Sequence, residues 1–180
     1  VLIKSPTKTG IDFCRPTRGV AIHWNKAREK GQPLPAAIVI GGPPSIGYCS
    51  VVDFPIDVDE FTMAGGLAIF QTALASFGAC DILVNNAGIL RDKTIFNMDE
   101  SDWDAVIAVH LKGHFCCTQP FARYIRETNR RGCRIINFSS VSGLFGNFGQ
   151  SNYGAAKAGI AGFARVLALE LAKYGCTVNT

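Results

Sequence analysis

The chain has 180 residues, of which 48% are hydrophobic and 18% charged, and its formal net charge is +4. This composition is typical of a globular domain and excludes an intrinsically disordered chain. The basic residues are scattered and carry no interleaved aromatic side chains, so we expect no nucleic-acid partner. No apolar run reaches the roughly 18 residues of a membrane span, so we expect no membrane partner.

The seven cysteines lie mostly within apolar runs, and none are spaced as C-x-x-C. This pattern favours reduced thiols over disulfides or a zinc site, and it predicts a cytoplasmic protein. The chain starts with Val and stops inside a strand pattern. We therefore expect it to be truncated at both ends.

The first 67 residues are rich in proline and turn signals, with one predicted helix at 20–30 and one predicted strand at 36–40. The strand pattern runs into the stretch VIGGPPSIGY at 39–48, which has the glycine pattern of a nucleotide-binding loop. Pro43 and Pro44 count against that role, because they lack the backbone N–H groups that would hold a pyrophosphate. We nevertheless expect strand 36–40 to lie in the sheet beside a strand at 81–84.

From about residue 69, helix and strand patterns alternate regularly. In chain order they predict a helix at 70–77, a strand at 81–84, a long helical stretch after Asp99, a strand at 134–138, a helix at 151–174 and a strand at 176–179. Gly78 and Gly175 are suited to end the first and last of these helices. The order predicts an α/β fold with a Rossmann-like parallel sheet and flanking helices, incomplete in this chain.

Polar residues follow two of the predicted strands, at the carboxyl ends where open α/β sheets bind ligands. Asn86, Ala87 and Gly88 come after strand 81–84, and Ser140 comes after strand 134–138. Taken alone, the serine fits an ordinary turn, and the Asn and Gly residues fit a loop that needs positive φ. Together, in this order, they favour a binding crevice.

The helix at 151–174 places Tyr153 and Lys157 four residues apart, which puts both on one face. A phenol is a poor general base at neutral pH unless a nearby positive charge stabilises the phenolate. Lys157 is placed to supply that charge, and Ser140 can hydrogen-bond a carbonyl or alcohol oxygen beside Tyr153. The spacing therefore favours proton transfer at a substrate oxygen.

These motifs, NNAG at 85–88 together with Ser140 and Y-x-x-x-K at 153–157, resemble the short-chain dehydrogenase/reductase family over about residues 69–180. The resemblance implies NAD or NADP as cofactor and hydride transfer between a secondary alcohol and a ketone. It implies that Tyr153 is the general acid/base, that Lys157 assists it and binds the nicotinamide ribose, and that Ser140 orients the substrate oxygen. It also implies cofactor binding by Asn86, Ala87 and Gly88, and by Tyr153 beside Lys157.

His110 stands where many family members carry an asparagine that supports a proton-relay water, and we include it among the catalytic candidates. The motif VHLKG at 109–113, together with GNFGQ at 146–150, resembles the corresponding motifs of 3-oxoacyl-carrier-protein reductases and hydroxyacyl-CoA dehydrogenase modules. A small-molecule acyl thioester is therefore the expected substrate. The resemblance also implies a homo-oligomer, a dimer or tetramer, built on the helices that start at Asp99 and Ser151. His110 and His114 lack a third ligand, so we expect no metal.

Residues 10–67 resemble an internal piece of the UbiD-type decarboxylase family, which uses a prenylated flavin, with Glu60 falling on a metal-ligand position of that family. The resulting interpretation divides the chain into a UbiD-like segment at 1–67 and a partial dehydrogenase domain at 68–180, joined near 66–70. Two alternatives remain: a fragment of a UbiD-type decarboxylase, and a non-catalytic α/β interaction module.

Overall fold

The apolar strand patterns form one sheet in the computed structural model, which describes residues 2–3, 37–40 and 61–180. Within these residues the strands lie in the order β1 (Leu2–Ile3), β2 (Ala37–Ile40), β3 (Ile82–Asn85), β4 (Arg134–Asn137) and β5 (Thr177–Asn179). Strand β1 runs antiparallel to β2, and β2 to β5 are mutually parallel. The predicted α/β, Rossmann-like class is confirmed.

Strand β2 lies beside β3, as the sequence predicted for residues 36–40. The register pairs Ala37 with Ile82 and Ile40 with Asn85. On the other side of β3, Asn85 pairs with Asn137 of β4. The predicted helix at 20–30 and the glycine-bearing loop at 41–48 lie outside the described residues.

Helices connect and cover the parallel strands. They are α1 (Met63–Phe77), α2 (Glu100–Ile107), a π-helix (Ala108–Lys112), α3 (Gly113–Thr128), α4 (Val141–Phe145) and α5 (Ser151–Leu171), with 3-10 turns at Ile95–Asn97 and Ala172–Tyr174. Helix α1 packs on α3, and α5 packs on α2, α4 and strand β5. The described part of the chain contains no helix that is both long and apolar enough to cross a membrane.

Helix α1 is longer than predicted: it begins at Met63, whereas the sequence suggested 70–77. Thr62 caps it, because its Oγ1 accepts a hydrogen bond from the backbone N–H of Gly65 at 2.9 Å. Its end at Gly78, with φ of +71°, is as predicted. The two glycines near its start lower the helix propensity of this segment, so the sequence did not predict its first turns. The helix runs without a break through the predicted join at 66–70.

Other bounds also differ from the expectations by one to a few residues. Strand β3 is shifted by one residue, to Ile82–Asn85, and β4 ends at Asn137 rather than 138. Helix α5 ends at Leu171, after which a 3-10 turn leads to Gly175 with φ of +67°. The shift in β3 has a consequence for the site, because it puts Asn85 inside the sheet.

The hydrophobic core lies between the sheet and helices α1, α3 and α5. Its buried members are Phe70, Ala73, Cys80, Leu83, Ala87, Cys117, Phe121, Ile125, Cys133, Ile135, Leu171 and Cys176. All five cysteines among the described side chains are buried and form no disulfide, as expected for reduced thiols. Burial raises the pKa of Cys80 to about 12 and that of Cys176 to about 11, so these thiols serve packing.

Candidate active site

Four segments meet beyond the carboxyl ends of β3 and β4. They are the residues after β3 (86–89), the residues after β4 (138–143), the π-helix and the first two turns of α5. Because parallel strands end at the same edge of a sheet, these segments are brought together from positions distant in sequence. The site residues predicted from sequence all lie on them.

Tyr153 is half-buried, and two basic side chains flank its ring. The Nζ of Lys157 lies 5.5 Å from the centroid of the Tyr153 ring, as expected for residues one turn apart on a helix. The His110 ring packs edge-on against Tyr153, with 5.1 Å between the ring centroids. The structure therefore places Tyr153, Lys157 and His110 in one cluster.

Lys157 is only 4% exposed, and the surrounding backbone fixes its position. Its Nζ donates a hydrogen bond to the carbonyl oxygen of Phe138 at 2.5 Å, which ties α5 to the end of β4. The hydroxyl of Ser139 donates to the backbone oxygen of Lys157 at 2.7 Å. Burial lowers the pKa of Lys157 to about 8, because desolvation disfavours the ammonium.

Ser140 is the residue that caps α4. Its Oγ accepts a hydrogen bond from the backbone N–H of Ser142 at 3.2 Å. Gly143, in the same short helix, lies so close to α5 that a Cβ there would come within 2.7 Å of the Lys157 backbone carbon. The loop carrying Ser140 is thus pressed onto the helix that carries Lys157, and this contact requires a glycine.

His110 is 2% exposed and lies in the π-helix, a helix form that occurs often at functional sites. Its Nε2 lies 2.7 Å from the backbone oxygen and 3.0 Å from the backbone nitrogen of Ile89. A Cβ at Gly88 would lie 2.4 Å from the His110 Cε1. Burial is the main cause that lowers the pKa of His110 to about 4, so the imidazole is neutral at pH 7.

The residues that line this crevice suit a nicotinamide dinucleotide in their shape and in their hydrogen-bond donors. After β3, Asn86 and Gly88 are half-buried and Ala87 is buried. The His110 ring leaves no room for a Cβ at position 88, so only glycine fits there. The Lys157 ammonium has three N–H donors, and one of them donates to the Phe138 carbonyl oxygen. The others suit the hydroxyl groups of a ribose. The donor set therefore fits the group.

The sequence did not reveal the polar residues that support this cluster. Asn85 donates from Nδ2 to the Asn137 Oδ1 at 2.9 Å and to the Thr118 hydroxyl at 3.1 Å. Asn152 donates to the backbone oxygens of Arg91 and Asp102, at 3.0 and 3.2 Å. The only available signal was the position of Asn85 and Asn137 at equivalent ends of two strand patterns.

His114 is a second buried imidazole next to this network. It is 2% exposed, and burial is the main cause that lowers its pKa to about 3. The His110 Nδ1 and the His114 Nε2 have no hydrogen-bond partner among the described residues. Within that part of the chain no group of three or more His, Cys, Asp or Glu side chains is arranged to hold a metal ion.

Comparison with known proteins matches the chain to a family described as short chain dehydrogenase over residues 38–180. A peroxisomal hydratase-dehydrogenase-epimerase of Neurospora crassa is 48% identical over 121 residues, 67% of this chain and 13% of that protein. A 3-oxoacyl-[acyl-carrier-protein] reductase of Synechocystis is 38% identical over 160 residues, 89% of this chain and 61% of that protein. The chain thus spans less than two thirds of each of these relatives.

A crystal structure of a short chain dehydrogenase from Mycobacterium avium is also similar. It has a TM-score of 0.64 and 48% identity, and the match covers 67% of this chain and 42% of that one. The decarboxylase resemblance at 10–67 gains no support from these matches, and the dehydrogenase family match itself enters that segment at residue 38. The division at 67/68 stays a prediction.

Proposed function

This chain belongs to the short-chain dehydrogenase family, and we propose that it carries the catalytic half of an NAD(P)-dependent oxidoreductase. The reaction is reversible hydride transfer between a secondary alcohol and a ketone. The observation that carries the proposal is the buried Lys157 ammonium, 5.5 Å from the Tyr153 ring centroid at the carboxyl ends of β3 and β4.

Tyr153 is the proposed general acid/base. In the reducing direction its phenol gives a proton to the carbonyl oxygen while the carbonyl carbon accepts a hydride, and the alcohol forms; oxidation reverses both transfers. The bound cofactor supplies or accepts that hydride. Lys157 stabilises the phenolate left on Tyr153, because its charge is held nearby in a buried position where screening is weak.

Ser140 is proposed to orient the substrate oxygen toward Tyr153. Its hydroxyl already accepts a hydrogen bond from the Ser142 N–H, which leaves its O–H free to donate to that oxygen. Asn86, Ala87 and Gly88 are proposed to contact the adenosine side of the cofactor, and Lys157 to bind the nicotinamide ribose. His110, neutral and packed on Tyr153, is proposed to hold the ring in place and not to carry charge.

We further propose a 3-hydroxyacyl or 3-oxoacyl thioester as substrate. Support comes from the motifs VHLKG and GNFGQ and from the relative that is named as a 3-oxoacyl-[acyl-carrier-protein] reductase. A homo-oligomer and a cytoplasmic location belong to the same proposal, although the Neurospora crassa relative is named as peroxisomal. Both NAD and NADP remain candidates for the cofactor.

The test is Tyr153→Phe, which removes only the phenolic hydroxyl. With a 3-oxoacyl thioester and NADH or NADPH, we expect turnover to fall about 10²- to 10⁴-fold, the usual contribution of general acid–base catalysis. Cofactor affinity, measured by fluorescence titration, should stay nearly unchanged. Tyr174→Phe, on the 3-10 turn after α5, is the matched control and should behave as the parent chain. Full turnover in Tyr153→Phe would refute the assigned role.

A further inference from the structure

Two loops flank the candidate site, and both lead to one residue. The β3 loop (residues 86–99) follows β3, and the β4 loop (residues 138–150) follows β4 and contains α4. A parallel bridge pairs Lys93 of the β3 loop with Gln150 at the end of the β4 loop. Gly149, with φ of +78°, makes the turn that allows this approach. The loops are therefore joined directly before Tyr153.

Both the oxygen and the nitrogen of the Gln150 side-chain amide form hydrogen bonds at this junction. Its Oε1 accepts from the Ser142 hydroxyl at 2.9 Å and from the Asn147 Nδ2 at 3.1 Å, both within the β4 loop. Its Nε2 donates to the Asp92 Oδ2 at 2.7 Å, across to the β3 loop. Only Asn and Gln carry a strong acceptor and two donors on one neutral side chain.

Gln150 also connects to the proposed catalytic residues without touching them. Ser142, whose hydroxyl binds the Gln150 Oε1, donates its backbone N–H to the Ser140 Oγ. The backbone oxygen of Gln150 accepts from the Gly154 N–H at 2.7 Å, in the first turn of the helix that carries Tyr153. A shift of Gln150 would therefore move the loop of Ser140 and the start of α5 relative to each other.

We propose that Gln150 is a positioning residue, which joins the β3 loop to the β4 loop through Asp92 and Ser142 and so sets Ser140 against Tyr153. Its effect on turnover rests on the proposed function, whereas its effect on the loops does not. The contact with Asp92 is the side-chain link between the loops, a hydrogen bond to a charged acceptor that stands beside the backbone bridge of Lys93 and Gln150.

Moving the carboxylate from position 92 to position 150 tests the hydrogen bond between Gln150 and Asp92 separately from the other contacts of Gln150. Gln150→Glu keeps the acceptor that Ser142 and Asn147 use, but it sets a carboxylate against the Asp92 carboxylate and removes the donor. Asp92→Asn alone keeps an acceptor for the Gln150 Nε2. In the double variant Gln150→Glu/Asp92→Asn, the new Asn donates to the new Glu, so the link is restored with its direction reversed.

We expect Gln150→Glu to lower kcat/KM about tenfold, the size expected for one lost hydrogen bond to a charged group. Asp92→Asn should lose about threefold or less, and the double variant should recover to a similar level. Amide hydrogen exchange at 91–97 and 141–147 should speed up in Gln150→Glu and return to the parent rate in the double variant. If Gln150 served only general stability, exchange in Gln150→Glu would speed up throughout the described residues and not at these two segments alone.

The amide hydrogen exchange measurement tests the role of Gln150 without depending on the proposed reaction. If no variant and no parent chain turns over a thioester, the proposed function fails, and the rescue of exchange protection still decides the role of Gln150. A double variant that is as impaired as Gln150→Glu in both measurements would overturn the proposal. Unchanged exchange at both segments in Gln150→Glu would overturn it as well.

Discussion

The two histidines that are buried in the described part of the chain make stability depend on pH between 7 and 5. The pKa of His110 is lowered to about 4 and that of His114 to about 3, mainly by burial and with the charge of Lys157 adding to it. In the unfolded chain both return to about 6.5. Between these values the unfolded state binds more protons than the folded state, so stability falls as the pH drops through 6.5 toward the folded pKa values.

The magnitude follows from proton linkage. At pH 7 an unfolded histidine is mostly neutral, so the difference between the states is small. At pH 5 it is almost fully protonated in the unfolded chain, whereas the folded imidazole stays largely neutral. The free energy of unfolding should therefore fall by about 2 kcal/mol for each histidine, and about 4 kcal/mol for the pair, between pH 7 and pH 5.

Urea denaturation at the two pH values measures this loss directly. His114→Gln should lose about half as much stability as the parent chain, because one of the two titrating groups is gone. His110→Gln/His114→Gln should lose little between pH 7 and pH 5, whatever its stability at pH 7. If His114→Gln loses as much as the parent chain, His114 is not buried as a neutral imidazole and the reasoning fails.

Two further predictions concern the site and the core. Because the pKa of Lys157 in the chain without ligand is about 8, the ammonium is lost above that pH and kcat/KM should decline there. Lys157→Arg, which stays charged, should be slower but should not show that decline in the pH profile of kcat/KM. A Cβ at Gly66 would lie 2.2 Å from the backbone oxygen of Cys116, so Gly66→Ala should lower the free energy of unfolding by about 1–3 kcal/mol. Gly162→Ala, where a Cβ meets nothing within 4 Å, is the control and should be neutral or stabilising by up to about 1 kcal/mol; equal losses in urea denaturation would contradict the close helix approach.

Local patterns sufficed for the parts of the fold whose causes are local. Strands β3 and β4 are short apolar runs, and the spacing of Tyr153 and Lys157 is a property of any helix, so both could be predicted. The strand at 36–40 could be placed beside β3 because a continuous apolar run of that length suits a parallel sheet with both faces covered. The start of α1 was missed because Gly65 and Gly66 lower helix propensity, and for Gly66 only the close packing against α3 explains the glycine.

The rest of the site depends on contacts between distant residues. Gln150 and Asp92 are 58 residues apart in sequence, and no periodicity connects them. The burial that lowers the pKa values of Lys157 and His110 arises only when four segments meet above the sheet. Sequence could propose which side chains carry the chemistry, but not which ones hold them in place.

The π-helix at Ala108–Lys112 also takes up one extra residue in the helical path between α2 and α3. A π turn closes its hydrogen bonds over one more residue than an α turn, so the extra residue widens the turn and leaves the helices on either side in register. Deleting one residue here would therefore leave a regular α-helix in which Phe121 and Ile125 still face the core, but it would remove the wide turn that carries the buried His110. A one-residue deletion should thus cost less in the free energy of unfolding than in the geometry beside Tyr153.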